Sequence, residues 1–144
     1  MKKYELTSET KVFLGKTLYR IKALVQFGNV NAGDLGGWIE KEENLSQSGN
    51  AWVYGDARVS GNAEVCKIGT VFWIGAIGSR NGTTTFFRCK DGKIYVSCGC
   101  FLGDLEEFSD KVKQTHGDNE HGRVYMLAIE MAKARIVEEK NEVH

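Results

Sequence analysis

Between residues 45 and 68 the small and apolar positions recur every sixth residue; written in sixes, the run is LSQSGN, AWVYGD, ARVSGN, AEVCKI. Ala51, Ala57 and Ala63 open the later units, Val53, Val59 and Val65 follow two positions on, and Gly49, Gly55 and Gly61 each precede Asn or Asp. Residues two apart on an extended strand share a face. Each unit therefore predicts a short strand with Ala and Val inward and Trp52, Arg58 or Glu64 outward. Gly with Asn or Asp suits the corner, because both tolerate positive φ. A period of six predicts a parallel β-helix, and with three units to a triangular coil these four give little more than one turn. Flanking segments must then supply the covering layers. A plain β-meander with Gly-Asn turns is the alternative.

Before the repeat the pattern is β. Tyr4 and Leu6 alternate with polar residues, and residues 12 to 24 predict a hairpin turning at Gly15-Lys16. Gly28-Asn29 and Gly33-Asp34 echo the later corners at irregular spacing, as a distorted first coil or a cap would. Gly36-Gly37 before Trp38 points to close backbone packing or a bend rather than a phosphate loop. After Ile68 the period breaks. VFWIGAI, TTTFFRC and IYVSCGC predict three antiparallel strands joined at Asn81-Gly82 and at residues 90 to 93, with Trp73, Phe86 and Tyr95 set to line one face.

Two helices follow. Asp104 with Glu107 makes a capping box, Leu105, Phe108 and Val112 form a buried stripe, and Gly117 ends the first helix. Asp118 or Asn119 starts the second, where Tyr125, Ile129, Ala132 and Ile136 mark one apolar face. Val124, Leu127, Ala128 and Met131 widen it beyond what one sheet covers, which leaves room for a partner. The charged tail, residues 138 to 144, predicts a frayed end.

Length and charge narrow the picture. The chain has 144 residues, 42 % hydrophobic, and no net charge. Residues 1–68 carry nine basic and eight acidic side chains, and residues 69–144 carry ten and eleven. Neither half has a basic footprint, so direct nucleic-acid binding is disfavoured. MKKYELTSET lacks an apolar signal core, and no run reaches membrane-spanning length, so the expectation is a cytoplasmic protein with four reduced cysteines.

The combination of LYRIKAL with FGNVNAGDLGGWIEKEENLSQSGNAWVYGDARVSGNAEV resembles a family of bacteriophage and prophage proteins with hexapeptide-like left-handed β-helices; GSRNG, SCGCF and THGDNE resemble its closing module. The resemblance implies that fold and a phage origin, and no catalytic residues. The predicted architecture is α+β. A short hexapeptide-type, left-handed parallel β-helix preceded by a β-hairpin fills residues 1–68. A three-stranded antiparallel meander with two C-terminal helices fills residues 69–144.

Candidate chemistry is sparse. Cys98 and Cys100, two apart on a strand, with His116 and His121 offer the donor set of a tetrahedral zinc site, although Cys-x-Cys is tighter than the usual knuckle. The plainer reading is no cofactor, with cysteines as small buried hydrophobes and histidines at helix ends. Cys100 as nucleophile and His116 as base form the catalytic candidate, because Cys100 precedes a helix N-terminus whose dipole favours thiolate. No third residue or oxyanion hole is legible, so the expectation is that the chain is not an enzyme.

The candidate binding residues are Trp52, Tyr54, Arg58, Arg80 and Tyr125. Trp52 is either an exposed interface anchor or packed under the hairpin, and Arg80 sits at a hairpin tip beside a potential anion site. The expected function is a non-catalytic phage protein that engages a bacterial host or defence-system protein, an anti-CRISPR-type inhibitor being its sharpest form. A nucleotide-binding sponge or minimal thiol enzyme is the second reading. The third is a structural homo-oligomer, since short β-helices need neighbours over their ends.

Overall fold

The computed structural model describes residues 1–66 and 68–136; the tail expected to fray, residues 138 to 144, lies outside them. The chain divides into two compact units, Met1–Ile68 and Gly69–His144.

In the first unit, β1 (Tyr4–Phe13) pairs antiparallel with β2 (Lys16–Ala23). The turn is Leu14-Gly15, one residue earlier than the sequence suggests, and both residues have positive φ, 52° and 76°. That is the twist that lets two residues join antiparallel strands. β2 pairs antiparallel with β3 (Leu35–Ile39), and β3 pairs parallel with the two-residue β4 (Arg58–Val59). The sheet order is β1-β2-β3-β4.

The expected left-handed parallel β-helix is not what forms. Parallel pairing joins Trp38 to Arg58, Ile39 to Val59 and, as an isolated bridge, Leu45 to Val65. The other strand pairs of this sheet are antiparallel, and residues 49 to 57 contain no strand. The period still governs burial: Ala51, Val53, Ala57, Val59, Ala63 and Val65 are all buried, and Gly49, Gly55 and Gly61 take positive φ. Four hexads provide no second coil to stack upon, so strands of the hairpin sheet close over the repeat.

Gly36 and Gly37 permit that closure. A Cβ at either would stand 2.6 Å from the Val53 carbonyl or 2.5 Å from that of Ala57. The bare backbone instead lets Gly37 N donate to Val53 O at 2.7 Å and Trp38 N to Ala57 O at 2.9 Å.

Backbone outside a regular ladder still needs hydrogen-bond partners, and here side chains supply them. Buried Lys3 donates from Nζ to Ala51 O at 2.8 Å and to Ser48 O and Gly49 O at 3.4 Å. Asn44, fully buried, accepts at Oδ1 from Glu40 N and Lys41 N and donates from Nδ2 to Gly61 O and Ala63 O. Gln47 accepts from Lys3 N at 2.8 Å and Tyr4 N at 3.1 Å and donates back to Tyr4 O.

In the second unit, β5 (Val71–Ile77), β6 (Gly82–Arg88), β7 (Ile94–Cys98) and β8 (Phe101–Asp104) form an antiparallel sheet in chain order. The expected three-stranded meander thus has a fourth strand. Cys98 pairs with Phe101, so Gly99-Cys100 is a two-residue turn rather than a strand end. The expected common face of Trp73, Phe86 and Tyr95 is also corrected by register. Phe86 aligns with Phe72 and Val96, whereas Trp73 pairs with Thr85 and Tyr95 with Phe87, one step out of phase.

The helices start and stop where their caps dictate. α1 (Leu105–His116) begins at Asp104, whose carboxylate accepts from Glu107 N at 2.8 Å while Glu107 accepts from Asp104 N at 3.1 Å. α2 (Glu120–Arg135) is capped by Asn119, which accepts from Gly122 N at 2.9 Å. Phe86, Ile94 and Val96 pack with Leu105, Phe108, Val112, Tyr125, Ala128, Ile129, Ala132 and Ile136 into one core. Phe108 meets the rings of Phe86, Phe101 and Tyr125 at 5.3 to 6.1 Å. Burying one such aromatic contributes about 2 kcal/mol from the area removed from water.

Candidate functional site

The broad apolar helix resolves into two faces. Tyr125, Ala128, Ile129 and Ala132 are buried in the core, while Leu127 is 65 % and Met131 51 % exposed. Val124, half-buried, lies three residues before Leu127, and Met131 follows four after it. Residues at that spacing share one side of a helix, so these three make an apolar ridge along α2. A helix of ordinary amphipathicity would place polar side chains there.

A second grouping lies where α1 gives way to α2. The His116 ring stacks on Tyr125 with centroids 5.6 Å apart, and it meets His121 edge-on at 5.6 Å. The Thr84 hydroxyl donates to Cys98 Sγ at 3.3 Å, and the Cys98 thiol lies 3.7 Å from the Tyr125 hydroxyl as donor. Burial, then contact with Cys98, holds the Tyr125 phenol above the ordinary tyrosine range, so this group is a neutral donor and acceptor at physiological pH. The arrangement orders a thiol, a phenol and two imidazoles.

Of the residues read from sequence as a zinc set or catalytic pair, Cys98, His116 and His121 take part in it. Cys98 lies on β7 and Cys100 in the turn, exposed to solvent, because the tight Gly99-Cys100 turn separates the two thiols. Among the described residues no three His, Cys, Asp or Glu side chains gather as a metal set. The thiol in contact with the Tyr125 hydroxyl, on whose ring His116 stacks, is that of Cys98. Gly78, against whose backbone the Tyr125 hydroxyl packs closely, and Thr84 went unread in the sequence. Strand register brings Thr84 to Cys98.

The remaining candidates are dispersed. Trp52 is 3 % exposed, packed edge-on against Tyr4 at 6.2 Å and Phe27 at 5.3 Å. The outward placement expected for it is corrected: its stretch is not a strand, so strict alternation does not apply. Tyr54 is partly exposed, and Arg80 is exposed in the turn between β5 and β6. The Arg58 guanidinium lies 4.0 Å from the Phe13 ring centroid.

The structure defines a protein of two four-stranded sheets, the second carrying two helices and an exposed apolar ridge. No family model matches the chain. Among curated proteins it is similar to the uncharacterized acetyltransferase YdcK of Escherichia coli (strain K12), 36 % identical over 88 residues, which cover 51 % of this chain and 27 % of that protein. The chain therefore spans just over a quarter of the length of the curated relative it matches. This likeness overturns the expectation that the chain is no enzyme, which rested on the want of a legible catalytic motif, since the relative carries an enzyme's name. The likeness is to a bacterial protein. No helix among the described residues is long and apolar enough to cross a membrane.

Proposed function

We propose that the chain works by binding another protein through the outer face of α2. The observation that supports this reading is the Val124–Leu127–Met131 ridge, where two large apolar side chains stand mostly in solvent on a helix whose opposite side is fully packed. Exposed apolar ridges of this kind are interface material. The resemblance of the YGDARVSGNA run to phage and prophage proteins supports placing the partner in the cytoplasm of an infected or lysogenic bacterium. There a host or defence-system protein is the target.

Affinity capture of the tagged chain from bacterial lysate, beside a Leu127→Asp/Met131→Asp variant, tests the reading. The wild type retains one stoichiometric protein, and the variant loses it while keeping its circular dichroism. Capture that the substitutions leave unchanged, or capture of nothing, sinks it.

The likeness to YdcK supports a second reading, acyl transfer. Incubation with acetyl-CoA and a panel of amine and hydroxyl acceptors, followed by free-thiol release, decides it. The absence of turnover above the uncatalysed rate removes this reading and leaves the first untouched.

A further inference from the structure

The ridge on α2 continues past its apolar residues into a charge at each end. Glu120, Val124, Leu127, Met131 and Arg135 follow one another at spacings of four, three, four and four, which keeps them on one side of a helix. Glu120 and Arg135 are both exposed, and neither is ion-paired among the described residues. The charges flanking the ridge are occupied within the chain: Arg123 donates to Asp118 O at 2.6 Å, and Glu130 meets Lys133 at 3.4 Å. The ridge thus runs from an acid at the start of α2, through three apolar side chains, to a base at its end.

Such an order is its own complement. Let a second α2 lie antiparallel across a twofold axis that passes between Leu127 and Ala128. Val124 of each helix then faces Met131 of the other, and the two Leu127 side chains meet at the centre. Glu120 of each faces Arg135 of the other, so an ion pair closes either end. A twofold interface requires this reciprocity, since residue i meeting j entails j meeting i. Other arrangements fare worse on the same residues. Parallel helices set Glu120 against Glu120 and Arg135 against Arg135, with their dipoles aligned. Sliding the antiparallel pair by one turn sets Glu120 against Met131, or Arg135 against Val124.

Building on the reading of the outer face of α2 as an interface, we propose that in the free protein this ridge is covered by the same ridge of a second copy, in an antiparallel, twofold helix pair. Leu127 and Met131 supply the attraction, because removing their apolar surface from water drives association. The terminal ion pairs, exposed at the rim, set direction and register more than strength. α2 has 16 residues, about 24 Å of helix. One side of it offers less than the roughly 800 Å² per partner of a stable complex. The pair is therefore weak, and a target with a larger footprint displaces the second copy.

Sedimentation velocity of the full chain, from micromolar to millimolar concentration, is the experiment. A monomer–dimer equilibrium is expected, and Leu127→Asp/Met131→Asp abolishes the dimer. Glu120→Arg and Arg135→Glu each raise its dissociation constant by about tenfold, because each turns both ion pairs into repulsions. The double variant Glu120→Arg/Arg135→Glu, with the pairs reversed but intact, returns to the wild-type value. An equimolar mixture of the two single variants also associates as wild type does, both pairs being restored between unlike chains. That mixture carries the test should circular dichroism show that the double variant does not fold. A chain that stays monomeric at millimolar concentration overturns the proposal, as does a dimer unaffected by the apolar double substitution or by either charge reversal. A monomer that still captures a ridge-dependent target overturns the self-pairing and leaves the target reading standing. A dimer with this charge dependence that captures nothing upholds the self-pairing and removes the target reading.

Discussion

The two units are stabilised differently. In the second, regular strands and helices satisfy their own backbone, and the interior is aromatic and aliphatic, with Phe86, Phe108 and Tyr125 at its centre. In the first, residues 49 to 57 make no strand, and polar side chains bond what a ladder would have bonded. Lys3 alone serves three carbonyls, and Asn44 serves two N–H groups and two carbonyls. A repeat too short to stack on itself thus depends on a few buried polar residues, whereas the second unit depends on apolar volume.

Substitutions can break that contrast. The largest effect belongs to Phe86→Ala, which empties the aromatic centre of the second unit and costs about 4 kcal/mol. Amide exchange in α1 and α2 under mild urea reads it. Asn44→Ala orphans buried groups in the first unit and costs about 3 kcal/mol, visible as faster exchange at Gly37 and Trp38. If it cost no more than a surface change, the polar account of that unit would fail.

Lys3→Met is smaller, about 1 kcal/mol near neutrality, because relief from burying a charge offsets the lost hydrogen bonds. Burial lowers the folded-state pKa of Lys3 below 10.5, so between the two values the unfolded chain binds more protons. Stability from this group therefore rises with pH, and the gap between wild type and Lys3→Met widens toward pH 10.5. A gap constant with pH would contradict the burial assigned to Lys3.

The smallest effect is expected at Tyr95. Its hydrogen bond to Asp91, 2.7 Å long, and then burial push the phenol up to about 12 from 10.0. The stabilisation is full below pH 10 and is lost as pH rises toward 12. Tyr95→Phe costs about 0.5 kcal/mol at pH 7, as the loss of one exposed hydrogen bond does, and lacks that alkaline loss, which a urea series across the range would show.

Legibility followed how local the determining interaction was. The caps Asp104–Glu107 and Asn119 act within a turn of helix, so both helices could be read directly. The hexad period carried inward and outward positions for Ala and Val correctly. It misled on architecture and on Trp52, because whether a coil repeats depends on how many units follow. Four hexads left the hairpin sheet to do the covering, and the absence of strand at Trp52 freed its ring to turn in toward Tyr4 and Phe27. Cys98 and Cys100 parted for a comparable reason, a two-residue turn inside a run that resembles one strand. The cross-strand row of Arg20, Trp38 and Arg58 and the Thr84–Cys98–Tyr125 contact depend on register between segments far apart in sequence, which periodicity does not encode.

The comparison also assigns the units different exposed apolar groups: Leu127 and Met131 on α2, and Val12, 75 % exposed, beside the first hairpin turn. A photo-crosslinking residue placed at Leu127, or separately at Val12, and activated in bacterial cells tests the binding face directly. The account predicts one discrete protein adduct from position 127 and none from position 12. Adduct from position 12 alone, or from neither, would contradict it.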